Sequence, residues 1–445
     1  MNNFLMYDVG EAGGIPYSET EKYEYCRYYP TDGLTDTSEY KTIRFSVNQE
    51  NIMCHWKNAF LELKGTLVRS DSNVAFAKAA KIAFIHNPIP HMFANGKLSL
   101  GTRVIEAVNN MGHVSSLMHN TLLARSKMKC NGLSFLWAAD TEDSTTDANV
   151  GFKLRCDYLM QRPKTTPGDF SLRIPLSMLF GFMENFVVMR GYPVAIELVR
   201  GADCHTLYRD AATAVVPGRI KLEKLSLNIP IVDPSKSVTV QTLRGISNPK
   251  NYLYSFRRRS GLSAPIPDAV EEHQMTIVTT TMVERPQIIW IGLQKAMTAD
   301  QLTNNALYWH GNVLQMTVEV NNVQFPCSPV PADFDENDLG MFYTMSQQVR
   351  ENYLQMSDTY TEGNLINPAS FRDLFPIFVF DVTKQNFTVG AKSVTTKLNI
   401  RFRTPTPKQL ISHICWFSDR TLELSTDGST LNVKEHVDSI ISNSS

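Results

Sequence analysis

The sequence predicts a mainly β protein, built as two halves of antiparallel sheet packed in two layers. Three observations carry that reading: apolar and polar residues alternate along much of the chain, helical periodicity is scarce, and the order of elements recurs in the two halves. A parallel α/β sheet needs a helix between most neighbouring strands, and the chain lacks that rhythm.

The elements follow in order. From Met1 to Tyr40 eight acidic residues stand against Lys22 and Arg27, with frequent Tyr and Gly, so residues 1–39 are expected to form an irregular arm. In "TIRFSV" Ile43, Phe45 and Val47 share one face, and in "LELKGTL" Leu61, Leu63 and Leu67 do. "PVAIELV" (Val194, Ile196, Leu198) and "KLSLNIPI" (Leu225, Leu227, Ile229, Ile231) repeat the pattern. So do Leu314, Met316, Val318 and Val320, then Leu398, Ile400 and Phe402 in the second half. Each such strand buries one face, as antiparallel two-layered sheets require.

Helical spacing is clearest from Thr102 to Leu123, where Val104, Val108, Met111, Leu117 and Met118 recur, and weaker from Leu339 to Leu354. A turn at Asn95-Gly96 precedes the first of these, and one at Asn321-Asn322, 226 positions later, precedes the second. The halves share order, not residue identity. The boundary falls near "IVDPSKS", Ile231 to Ser237, giving an arm over 1–39 and β-rich halves over 40–235 and 236–445. The polar excursions Ala139–Gly151 and Ser328–Gly340 are expected to carry contacts with partners.

Of the 445 residues, 43% are hydrophobic and 20% charged, so a sizeable core is available, and the formal net charge of -1 offers no basic field for nucleic acid. Seven scattered cysteines without a C-x-x-C pair fit reduced thiols of the cytosol or nucleus. The start "MNNFLMYDVGEAGG" has no basic n-region, and no run reaches the roughly 18 apolar residues of a membrane helix, so the chain is expected to be soluble and made inside a cell.

Motifs for catalysis are absent. "ERPQIIWIGLQKAM" has an apolar run ending in Gly292, but the next glycine is Gly311, so neither a dinucleotide fingerprint nor a P-loop is present and the stretch reads as a buried strand. His86/His91 and His113/His119 miss the helical metal spacing, and Cys54-His55 and Cys204-His205 point to opposite faces if on strands. Asp333, Asp335, Glu336 and Asp338 lack the EF-hand order, and G-x-S-x-G does not occur. No catalytic, cofactor-binding or metal residue is assigned. Arg257, Arg258 and Arg259, after Tyr252, Tyr254 and Phe256, form the densest positive patch and the one candidate contact, to a phosphate or another subunit. Asn386-Phe387-Thr388 fits the glycosylation sequon, which an intracellular protein does not use.

"LFGFMENFVVMRGYPVAIELVR" (Leu179–Arg200) resembles a segment of the double jelly-roll major capsid proteins of Polinton- and adintovirus-like DNA viruses and virophages. "ERPQIIWIGLQKAM" with "YWHGNVLQMTVEVNNVQFP" resembles the opening of that family's second roll, and "FPIFVFDVT" and "KLNIRFRT" match later landmarks in order. The resemblance implies two consecutive eight-stranded antiparallel jelly-roll β-sandwiches with a few short helices in loops, and no enzyme. It implies a homotrimeric, pseudo-hexameric capsomer that tiles an icosahedral virion shell. Its partners are then neighbouring capsomers and a single jelly-roll penton protein, with no cofactor and no specific nucleic-acid binding; an internal membrane is not specified. The acidic arm and the Arg257–Arg259 patch depart from the pattern and inherit no role. The residues alone leave open a two-domain β-sandwich ligand-binding or adhesive protein, a β-sandwich hydrolase, and a capsid-derived protein domesticated by a cell.

Overall fold

The computed structural model describes residues 20–33, 38–48, 53–124, 132–163, 166–184, 188–190, 193–234, 252–277, 285–296, 299–354, 365–383, 394–427 and 430–436. The chain forms two β-sandwiches of the same topology. In the first the strands are β1 (Thr20–Tyr28), β2 (Thr42–Val47), β3 (Phe60–Arg69), β4 (Phe93–Leu100), β5 (Arg103–Asn109), β6 (Asp169–Pro175), β7 (Val194–Arg200) and β8 (Gly218–Pro234). One sheet runs β1-β8-β3-β6 and the other β2-β7-β4-β5, every neighbour antiparallel. The short strands Met53–His55 and Val188–Arg190 extend the first sheet beside β8.

The second sandwich comprises β9 (Tyr252–Ile266), β10 (Glu272–Ile277), β11 (Ile288–Lys295), β12 (Val313–Val320), β13 (Val323–Phe325), β14 (Ile377–Asp381), β15 (Thr396–Phe402) and β16 (Leu410–Asp427). Its sheets run β9-β16-β11-β14 and β10-β15-β12-β13, and a further strand, Thr430–His436, pairs antiparallel with the end of β16. Adding eight to each strand number of the first sandwich reproduces the second, so among the described residues both are jelly rolls on one eight-strand frame, with extra strands at its edges.

Burial follows the sequence pattern where one face meets water: β2 alternates exposed and buried, and β7 and β15 bury every second residue. By contrast Ile288–Gln294 of β11 and Ile377–Phe380 of β14 are buried on both faces. Their continuous apolar runs mark the sheet that the rest of the chain covers. Four helices matter for that cover: α1 (Met111–Leu122), α2 (Val150–Cys156), α3 (Gly340–Leu354) and α4 (Pro368–Asp373).

Three expectations need correction. The helix expected from Thr102 is two elements: Arg103–Asn109 is strand β5, and α1 starts at Met111 after Asn110 adopts a left-handed φ of 50°. Asn95 and Gly96 lie inside β4, and the hairpin turns at Gly101, whose φ of 58° suits glycine. The second hairpin does turn at Asn321-Asn322, both left-handed. The segment expected as an irregular arm contains β1, whose alternate residues Glu24, Cys26 and Tyr28 face Ile231, Ile229 and Leu227 of β8. The sequon at Asn386–Thr388 lies outside the described residues.

Candidate functional site: the seam between the rolls

Helix α1 leaves the first roll after β5 and crosses the outer face of the β9-β16-β11-β14 sheet of the second. All twelve of its residues are buried, half of them polar: His113, Ser115, Ser116, His119, Asn120 and Thr121. A helix polar on several sides is stable in a core only where its polar groups find partners. Trp290 Nε1 of β11 donates to Thr121 Oγ1 at 2.9 Å, and Thr121 itself donates back to Met118 O.

Close approach of α1 explains two strand glycines. A Cβ on Gly261 of β9 would collide with Val114 of α1, and one on Gly292 of β11 would stand 2.8 Å from Leu117 and 2.6 Å from Tyr308. Gly292, the lone glycine of "IIWIGLQK", is thus a window for a helix. Gly292→Val is expected to lower stability by about 1–3 kcal/mol through overpacking, although valine ordinarily favours a strand. Urea denaturation reads this sign; a midpoint raised by the substitution contradicts the window.

Below α1 a carboxylate from the first roll grips the second. Glu106 of β5 is fully buried and accepts from the backbone N–H of Gly181 (3.0 Å), Phe182 (2.9 Å) and Arg259 (2.9 Å). Burial raises its pKa, against the pull of Arg259 and the three amides. Glu184, in the same turn as Gly181, forms an ion pair with the Arg259 guanidinium and accepts from Tyr353 OH of α3 at 2.8 Å. Burial works against the charge of Arg259, but Glu184, Tyr353 and Glu106 outweigh it and raise its pKa. Tyr254 OH donates to Phe182 O at 2.9 Å, and Arg257 lies 4.2 Å over the Tyr353 ring.

The arginines singled out in the sequence therefore divide. Arg259 is wholly buried and its Nη2 donates to Glu184 and to Ser177 O, Arg257 stacks inside the seam, and Arg258 belongs to the opposite strand face.

Two further fasteners lie toward the loop-bearing end. Asp140 pairs with Arg155 at 2.6 Å, both fully buried, and accepts from Asn304 Nδ2 of the second roll at 3.1 Å. Gln301 meets Gly218 as a strand neighbour does: Gly218 N donates to Gln301 Oε1 (2.7 Å) and Gln301 Nε2 donates to Gly218 O (2.8 Å).

Histidines gather in the middle of the seam. His413 of β16 stacks on His113 of α1, ring centroids 3.6 Å apart, and His91 meets His113 edge-on at 5.1 Å. His413 lies within 2.7 Å of Ser263 Oγ and 3.2 Å of Gln294 Oε1, His91 within 2.9 Å of Ser116 Oγ, and His86 within 3.0 Å of Asn120 Oδ1. Burial lowers the pKa of His86 to about 4 and of His91 and His413 to about 3, and puts His113 well below its ordinary value. These rings are neutral packing elements at neutral pH. Among the described residues no group of three or more His, Cys, Asp or Glu is arranged to hold a metal ion.

Residues 144–422 match the family described as a double jelly roll-like domain. The chain belongs to this family. Its double jelly roll is shared with solved viral proteins at low identity. A chain of the Sputnik virophage superposes with a TM-score of 0.59 and 11% identity, covering 95% of this chain and 90% of that one. The PBCV-1 virus capsid gives 0.51 and 8%, covering 94% and 97%. The Faustovirus major capsid protein gives 0.51 and 9%, covering 93% and 90%. At these identities the likeness shows the fold. A search of curated protein sequences gave no match.

Proposed function

We propose that the chain is a viral major capsid protein: a structural, non-catalytic brick of two rolls that trimerises into a pseudo-hexameric capsomer and tiles an icosahedral shell. The observation that carries this reading is that two like rolls meet through unlike surfaces. The first roll offers β5 and α1, and the second offers the outer face of its β9-β16-β11-β14 sheet. A contact of that head-to-tail kind, repeated between chains, closes into a ring, and three chains make six rolls.

The matching outer face of the first roll, on the β1-β8-β3-β6 sheet, carries Tyr23 and Tyr25 at 45% and 55% exposure, beside Phe60. Exposed tyrosines suit a subunit contact. The likeness to the Faustovirus major capsid protein supports the capsid role, and the sequence resemblance adds Polinton- and adintovirus-like viruses and virophages as the source. Neighbouring capsomers and a single jelly-roll penton protein are the partners, and the virion capsid is the location. Of the arginine run, Arg257 and Arg259 pack in the seam within the chain, which favours a contact between the rolls over a phosphate.

Sedimentation of the purified chain is expected to give a particle of three times 50.2 kDa, and Tyr25→Asp is expected to shift it toward the monomer. A chain that stays monomeric at high concentration overturns the proposal.

A further inference from the structure

The two rolls share a frame but present the same sheet differently. In the second roll β16 begins opposite the end of β11, and there the cross-strand neighbours Gly292 and His413 lie under Leu117 and His113 of α1. In the first roll β8 begins opposite the end of β3, and the corresponding neighbours are Thr66 and Lys221. These line an open cavity of about 520 Å³ together with Val68 and Arg219, the next cross-strand pair.

The cavity holds cations to spare. Its carboxylates are engaged: Asp203 accepts from Arg200 at 2.7 Å and from the Ile220 N–H at 3.0 Å, Glu39 from the Asp203 N–H at 2.7 Å, and Glu223 from the Thr66 hydroxyl at 3.3 Å. Arg219 and Lys221 are exposed, and among the described residues no carboxylate pairs with either. Farther along the same face Arg27, Lys64 and Arg173 share the single carboxylate of Glu62, at 3.3, 3.7 and 3.6 Å. The face is left with surplus positive charge.

The complement lies on the second roll. The first roll meets the second by its β5 edge, and the matching edge of the second roll is β13. The chain prolongs that edge, because Pro331 bridges to Gln315 of β12 and the buried Phe334 stacks on the His310 ring, centroids 4.5 Å apart. These anchors hold Asp335, Glu336 and Asp338 exposed at the edge, without a cation paired to them among the described residues. Residues 326–340 contain neither lysine nor arginine.

We propose that this acidic edge of one copy docks on the first roll of a second copy, with Asp335, Glu336 and Asp338 against Arg219 and Lys221. The inference rests on the capsomer reading and deepens it by naming the contact that closes the ring. Complementary charge fixes which rolls meet, because first roll against first roll sets cation against cation.

Charge reversal tests the contact, with sedimentation equilibrium of the full chain as the readout. Arg219→Glu with Lys221→Glu is expected to raise the dissociation constant about a hundredfold, and Glu336→Lys with Asp338→Lys to do the same. All four positions are exposed, so thermal unfolding is expected to stay unchanged. Combining the four substitutions is expected to bring the constant back to within about tenfold of the parent chain. Carbodiimide treatment of mixed isotope-labelled and unlabelled chains is expected to couple Lys221 of one copy to Asp335, Glu336 or Asp338 of another. An oligomer that ignores both reversals, a fourfold variant without recovery, or no coupling between copies overturns this contact and leaves the capsid reading standing. A parent chain monomeric at every concentration overturns both.

Discussion

Glu106→Leu is expected to cost on the order of 3–5 kcal/mol of stability, a large share of what a domain of ordinary stability holds. The substitution keeps side-chain bulk in β5 but leaves the N–H groups of Gly181, Phe182 and Arg259 without their acceptor. It also removes one of the two carboxylates that balance the buried Arg259. Glu106→Gln keeps an acceptor without the charge and is expected to lose less. Glu197→Leu is the control, because its ion pair with Arg44 at 3.1 Å is solvent-exposed and such pairs are worth about 0–1 kcal/mol. Urea denaturation of the three variants checks the order. Equal losses for Glu106→Leu and Glu197→Leu would show that the seam carries no special load.

Acid is expected to weaken the chain well above the ordinary carboxylate range. The unfolded histidines titrate near 6.5, whereas His86 titrates at about 4 and His91 and His413 at about 3 when folded. Above pH 6.5 these rings are neutral in both states and contribute no pH dependence. As pH falls from 6.5 toward 4 the unfolded chain binds protons that the folded seam refuses, so stability is lost at about 1.4 kcal/mol per unit for each ring. At pH 5 the three together withdraw roughly 6 kcal/mol.

Glu106 and Asp203, both raised by burial, act in the opposite sense: the folded state takes their protons first as pH falls and recovers part of the loss. The charged groups that face the rings are few: Arg155 lowers His86 and Asp140 raises it, while His205 and the other rings lower His91 and His113. Denaturation midpoints from pH 8 to 5 check this, and His413→Asn is expected to flatten the slope by about one proton. A flat profile over that range contradicts a neutral, buried cluster.

The half-buried strands were legible because alternation is a local signal: β2, β3, β7, β8, β12 and β15 stand where the periodicity put them. Strand β5 was misread because Val104 and Val108, four apart, satisfy helical spacing too and run straight into α1. Strand β1 is not legible in the sequence, because Glu24, Cys26 and Tyr28 stand where an alternating strand would carry aliphatic residues. The seam left almost no local trace. His113 and His413 are 300 positions apart, and neither histidine spacing nor composition joins them. Gly292 is visible in the sequence, and a lone glycine in an apolar strand is itself a sign of close backbone approach. The arginine run is visible as well, but only the fold shows that Arg259 pairs with Glu184.

Single-particle cryo-electron microscopy of the purified chain tests most directly whether two locked rolls act as one building block. Three-fold particles with six roll-shaped densities are expected, each pair joined by continuous density for α1. Isolated single chains, or pairs of rolls in variable relative orientation, contradict it.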